Sequence, residues 1–186
     1  MDVVVILCFV ALAIFVVKAY EGSATSLPDY PPATTRRAFC TTCIDLRFVD
    51  TKISFLNDEF GLHSYDIFAT PGPSLALSDP LDATDPQHAL LPGYVSSFSN
   101  AWRSGLEISQ AVNSTTQVAL LDHENCGFFN LYTGYENGDY ATKKAIQFAQ
   151  MSKTINHLRT VTTPQYPTLY YGYWVGLNGV TEAVPA

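Results

Sequence analysis

The run Val118-Ala119-Leu120-Leu121, led in by Gln117, constrains this chain more than any other stretch, because it offers no polar position to turn toward water. Such a pattern belongs to a strand buried on both faces, which occurs where helices cover both sides of a parallel sheet. Asp122 follows, and then His123-Glu124-Asn125-Cys126-Gly127, so metal-ligating side chains gather where this strand ends. Three more segments read as strands: Ala38 to Arg47, Tyr65 to Thr70, and the aromatic stretch Leu169 to Leu177. Between them, Phe48 to Phe60 is a short segment of helical character. Val95 to Val112 carries Phe98, Trp102, Leu106, Ile108 and Val112 at roughly helical spacing, and Asp139 to Leu158 carries Ile146, Phe148, Met151 and Ile155. Strands alternating with helices predict an α/β fold, with a central, mostly parallel sheet of about four to five strands flanked by helices and joined by right-handed crossovers.

Pro71-Gly72-Pro73 stops the second strand, since proline removes ladder donors. From Ser78 to Gly93 the residues Asp79, Pro80, Asp82, Asp85, Pro86 and Pro92 predict a long irregular loop. At 186 residues the chain has room for one core, and 47% apolar composition with 15% charged residues is enough to build it. The net charge of −7, with no basic run beyond Arg36-Arg37 and Lys143-Lys144, leaves no footprint for a phosphate backbone, which excludes nucleic acid as the expected partner.

The chain opens on Met1-Asp2 and then runs without a polar residue from Val3 to Val17, before Lys18-Ala19-Tyr20. That stretch is short for a bilayer span of about 20 residues and suits a cleaved signal peptide over 1–19. Asp2 before it and Lys18 after it favour instead a retained N-terminal anchor, and a buried core helix is the third reading. The first two place the protein in the secretory pathway, extracellular or anchored through residues 3–17. Residues 20–37, with Pro28, Pro31 and Pro32, read as an extended arm or linker, which leaves 38–186 as the folded domain. Asn113-Ser114-Thr115 fits the N-glycosylation pattern, which has meaning in that compartment.

Of the four cysteines, Cys8 lies in the apolar leader, so the domain keeps Cys40, Cys43 and Cys126, an odd set that fits metal ligation better than disulfide stapling. Cys43-Ile44-Asp45-Leu46-Arg47 stands at the end of the first strand and His123-Glu124-Asn125-Cys126-Gly127 at the end of the central one, where open parallel sheets gather their ligands. Two thiolates and an imidazole suit Zn²⁺, and three protein donors leave a fourth tetrahedral position open. Gly127 is placed for a tight turn after the pair. The competing readings are a Cys40-Thr41-Thr42-Cys43 redox motif, a structural Asp45 to Arg47 ion pair, and simple burial of each cysteine and of His123.

Cys-x-Asp-x-Arg followed by His-x-x-Cys-Gly resembles the β-class carbonic anhydrases, from about Cys40 to Gly176. Tyr65 to Thr70 sits where that family has its second strand, and Tyr171-Gly172-Tyr173-Trp174 is similar to its closing His-Gly-Trp-type strand. The resemblance implies zinc held by Cys43, His123 and Cys126, with Asp45 accepting a proton from the attacking water and Arg47 orienting Asp45. It implies a lyase that hydrates carbon dioxide to bicarbonate, working as a homodimer; membrane contact is expected from the leader's own pattern, and only if that N-terminal segment is uncleaved. The same site implies two alternatives: hydrolysis of carbonyl sulfide or carbon disulfide, or a non-catalytic structural subunit that keeps the fold. In some relatives the equivalent of Asp45 takes the fourth zinc position. The chain departs from the family at Thr70-Pro71-Gly72-Pro73-Ser74, where Arg-Asn-Ala-Gly-Asn is usual, and in the 80 positions between Cys43 and His123, an excess that falls in the Ser78 to Gly93 loop.

Overall fold

The computed structural model describes residues 37–62, 64–79, 81–82, 93–131, 134–162 and 168–184, all within the compact unit Ala33–Ala186. The leader over 1–19, all of the arm except Arg37, and most of the Ser78 to Gly93 loop lie outside the described residues. Five strands form one sheet: β1 Ala38–Cys43, β2 Tyr65–Thr70, β3 Gln117–His123, β4 Leu169–Val175 and β5 Thr181–Val184. Their order is β2-β1-β3-β4-β5, parallel throughout except that β5 runs antiparallel to β4. Four helices accompany them among the described residues: α1 Val49–Phe60, the single turn α2 Pro73–Ala76, α3 Tyr94–Asn113 and α4 Tyr140–Val161. No helix among the described residues is long and apolar enough to cross a membrane.

The apolar run folds as its composition dictates. Every residue of β3 is buried, and alternate side chains feed opposite faces of the sheet. Val118 and Leu120 join Phe39, Tyr170 and Trp174 under Trp102 and Leu106 of α3 and Met151, Ile155 and Leu158 of α4. Ala119 and Leu121 join Ala38, Cys40 and Tyr173 beneath Leu56 of α1. Leu120 and Leu121 are both fully buried, and each such side chain stabilises the fold by about 1.5–3 kcal/mol. At Gly172 a Cβ would lie 2.5 Å from the Met151 sulfur, so the missing side chain lets α4 approach β4 closely.

This arrangement follows from right-handed crossovers. The chain moves one way from β1 to β2 and the other way from β3 to β4, so α1 covers one face while α3 and α4 cover the other. The direction reverses between β1 and β3, which are neighbours, and their carboxyl ends therefore flank a crevice.

Several details differ from the sequence pattern. In α3 the buried stripe is Val95, Trp102, Leu106, Ser109 and Gln110, whereas Ile108 and Val112 are 64% and 74% exposed, because the helix turns those two away from the sheet. The first strand stops at Cys43, and Leu46–Phe48 forms a 3₁₀ turn capped by the Asp45 carboxylate. Pro73 opens α2 as its first residue, where a missing N–H costs nothing. Asn113 is committed at the end of α3, its Nδ2 donating to Asp66 Oδ2 at 2.8 Å and its Oδ1 accepting from Arg37 at 2.7 Å. A glycan on that nitrogen would displace a bond that ties α3 to β2.

Candidate metal centre

Cys43 is the last residue of β1 and His123 the last of β3, so the parallel pairing of the two strands brings both to one end of the sheet. Beyond β3 the chain turns back through Asn125, which has a φ of 54°, an αL conformation that asparagine tolerates better than most residues. Gly127, expected to make this turn, has no positive φ, and a Cβ there would meet nothing within 4 Å. The turn delivers Cys126 to the same crevice. One ligand atom from each of Cys43, His123 and Cys126 lies within 4.8 Å of the others, and all three residues are buried. The two Sγ atoms stand 3.8 Å apart.

The imidazole is held on three sides. Its Nδ1 lies 2.9 Å from the Glu124 carbonyl, which can only accept, so Nδ1 carries the proton and Nε2 keeps its lone pair. Phe48 packs on the ring with centroids 4.3 Å apart. Behind it, Trp174 Nε1 donates to Gln147 Oε1 at 2.6 Å, and Gln147 Nε2 donates to the His123 carbonyl at 2.8 Å. Nε2 itself is fully buried and has no hydrogen-bond partner among the described residues, a costly state that a metal ion would relieve. Two sulfurs each about 2.3 Å from a tetrahedral zinc stand about 3.8 Å apart, so the donor set fits that ion in chemistry and in spacing.

Asp45 and Arg47 sit at the mouth of the crevice. Arg47 grips the carboxylate with Nε 3.0 Å from Oδ1 and a terminal nitrogen 2.5 Å from Oδ2, and it also donates to the Asn125 carbonyl at 3.3 Å. Those bonds from Arg47 hold the Asp45 carboxyl down at about 2. Asp45 Oδ2 lies 3.7 Å from His123 Nε2, and because both its oxygens are engaged by Arg47 it stands beside the ligand set rather than in it. The two sulfurs act on each other: the hydrogen bond with Cys126 pulls the Cys43 thiol down, and the same bond pushes Cys126 up.

Sequence reasoning missed two buried charged groups here. Lys52 of α1 is 4% exposed, and its Nζ donates to the Cys43 carbonyl and, at 3.3 Å, to that of Asp45. Asp122, just before the histidine, is fully buried and accepts from Ser74 through both N–H and Oγ–H. Burial pushes its carboxyl up to about 7 against those bonds. The Asp122 and Ser74 pair fastens α2 to β3, while Thr154 Oγ1 donates to the Ser74 carbonyl at 2.6 Å and fastens it to α4. Thr70, where the sequence resemblance leads one to expect an arginine, is fully buried, and its hydroxyl has no hydrogen-bond partner among the described residues. Cys40 is fully buried on the opposite face of β1 from Cys43, packed under Leu56, so the two do not form a redox pair.

No protein-family model matches the chain. It is 26% identical over 145 residues to the uncharacterised protein RC0076 of Rickettsia conorii, covering 77% of this chain and 69% of that one, and equally to an uncharacterised protein of Rickettsia bellii, covering 78% of it. Among solved structures it is similar to a carbonic anhydrase from Glaciozyma antarctica, with a TM-score of 0.53 and 14% identity over 92% of this chain and 95% of that one. A β-carbonic anhydrase of Trichomonas vaginalis matches with 0.52 and 14% over 94% and 96%, and one of two tetrameric β-carbonic anhydrases of Sordaria macrospora with 0.51 and 12% over 100% and 98%. The fold is that of the β-carbonic anhydrases, and it carries a Cys-His-Cys group able to hold a metal ion.

Proposed function

We propose that this chain is a zinc-dependent carbonic anhydrase-like lyase that converts carbon dioxide and water to bicarbonate and a proton. Cys43, His123 and Cys126 are its metal ligands. The observation that carries the reading is the orphaned, fully buried Nε2 of His123 facing two cysteines whose sulfurs are 3.8 Å apart, with a bidentate Asp45 and Arg47 pair at the mouth. When bound, zinc supplies Lewis acidity that brings the pKa of its water to about 7, an effect for which carbonic anhydrases are the general illustration.

The remaining work falls to the chain's own residues. Asp45 Oδ2 accepts a hydrogen bond from the attacking water and aims its lone pair. With a pKa near 2 the carboxylate is a poor resting place for the proton, so it orients and passes the proton on toward solvent. Arg47, 58% exposed, keeps Asp45 charged and fixed. Phe48 packs on the His123 ring, and Leu75 and Phe129 cluster with Cys43 and Cys126, apolar surroundings that suit a nonpolar triatomic substrate. Carbonyl sulfide and carbon disulfide are linear triatomics too and suit the same surroundings. The altered Thr70 to Ser74 turn supports the second reading, a structural subunit that retains the fold.

Stopped-flow hydration of carbon dioxide by the zinc-loaded protein tests the proposal, with carbonyl sulfide and carbon disulfide as parallel substrates. Turnover of carbon dioxide is the expected result; zinc binding without turnover of any of the three puts the structural reading first. The leader over residues 3–17 carries the domain into the secretory pathway in this reading, and mass spectrometry of the native protein tests whether the chain then begins near Tyr20 or retains Met1.

A further inference from the structure

We propose that Lys52 is a positioning residue of the metal centre, its ammonium clamping the carbonyl oxygens of Cys43 and Asp45 so that the sulfur of one and the carboxylate of the other face His123 together. The inference rests on the metal-site reading above. Beyond the last ladder pair of β1 and β2, Cys43 with Thr70, the chain leaves the sheet and its carbonyls lose their strand partners. Lys52 supplies donors to two of them, with Nζ bonded to the Cys43 oxygen and 3.3 Å from the Asp45 oxygen.

Lysine is almost never buried to this degree unless its charge is matched. Lys52 is 4% exposed, and among the described residues it makes no ion pair with a carboxylate side chain. Burial pushes the Lys52 ammonium down, and the neighbouring Cys43, Asp45 and Cys126 act against that. Its position is therefore accounted for by the loop: two carbonyls at and beyond the end of the ladder find their donors in Lys52, whose N–H groups set the path that places the Cys43 sulfur and the Asp45 carboxylate beside His123. Arg47 braces the same segment from the outside through Asn125, so the Cys43 to Asp45 loop is held between a buried cation and an exposed one.

The test compares wild type with Lys52→Met, which keeps length but loses charge and donors, and Lys52→Arg, which keeps both. Zinc affinity is measured by competition with a chromophoric chelator, and the cobalt-substituted proteins are compared by their thiolate-to-cobalt charge-transfer absorption. Lys52→Met is expected to weaken zinc binding on the order of 10–100-fold and to alter the cobalt spectrum, and Lys52→Arg to recover most of both. A lysine that only supports the fold would lower the melting temperature and leave the affinity and spectrum of the folded protein unchanged, which would overturn the proposal. Should Lys52→Met not fold by circular dichroism, Lys52→Gln, which keeps a donor but not the charge, carries the same comparison. Failure of wild type to bind zinc would instead sink the metal-site reading itself.

Discussion

Substitutions at single residues separate holding the metal from using it. Cys43→Ser, Cys126→Ser and His123→Ala each remove one of three donors, and each is expected to lose most of the zinc, with some folding stability, by metal analysis and thermal melting. Asp45→Asn removes no donor, since Asp45 is occupied by Arg47. It is expected to keep near-stoichiometric zinc while carbon dioxide hydration falls by about 10²–10⁴-fold; unchanged hydration would contradict the assigned role. Asp122 makes a prediction of a different kind. Its carboxyl, at about 7 in the folded protein against 3.8 ordinarily, binds a proton more tightly folded than unfolded. Its stabilising contribution is complete below about pH 4 and is lost as the pH rises through 7. Urea unfolding of the metal-free protein across that window should show the loss in wild type and a flatter profile in Asp122→Asn, whose amide can still serve both Ser74 groups.

Among the elements, the turn between β2 and α2 is built on a glycine that combines a positive φ with no room for a side chain. Gly72 has a φ of 50°, and a Cβ there would lie 2.8 Å from Cδ1 and 3.1 Å from Cβ of Phe128. Its N–H also faces the Cys43 sulfur. Gly72→Ala is expected to destabilise the protein by about 1–3 kcal/mol in urea unfolding and to weaken zinc binding with it. This turn also shows what was legible beforehand. Pro71-Gly72-Pro73 announced a break, because proline chemistry is local, but the short helix that follows depends on Ser74 reaching Asp122 and Thr154, partners 48 and 80 residues away. β1, β3 and β4 were readable because most of their apolar and β-branched residues are buried in the sheet, and β2, a half-exposed edge strand, because its short β-rich run ends at Pro71. β5 was not, since Thr181-Glu182-Ala183-Val184 has little pattern of its own and pairs only at the edge. Within the site, Cys43, Asp45, Arg47, His123 and Cys126 were legible by spacing. Lys52 was not, because a lysine in a helix reads as solvated until the loop above it is in place.

At the scale of the whole molecule, the homodimer expected from the sequence resemblance would cover exposed apolar residues near the site. Leu46, Val49 and Ile53 are 84%, 40% and 37% exposed, spaced as one face where the 3₁₀ turn runs into α1, with Ile44, 55% exposed, beside them. A second copy of the chain is the expected cover, and sedimentation at micromolar concentration should give a dimer; the double substitution Leu46→Glu and Ile53→Glu should shift it toward monomer. A sedimenting monomer in wild type would overturn the dimer. The hydrogen-bond relay from Trp174 through Gln147 to the backbone of His123 has an optical consequence. One of the chain's two tryptophans is wired to a ligand residue, and the other, Trp102, donates to Thr41 under α3. Titrating zinc into the metal-free protein should therefore change the intrinsic fluorescence through Trp174 alone, so that Trp174→Phe is silent and Trp102→Phe still responds. The protein would then carry its own indicator for metal occupancy, readable without a label.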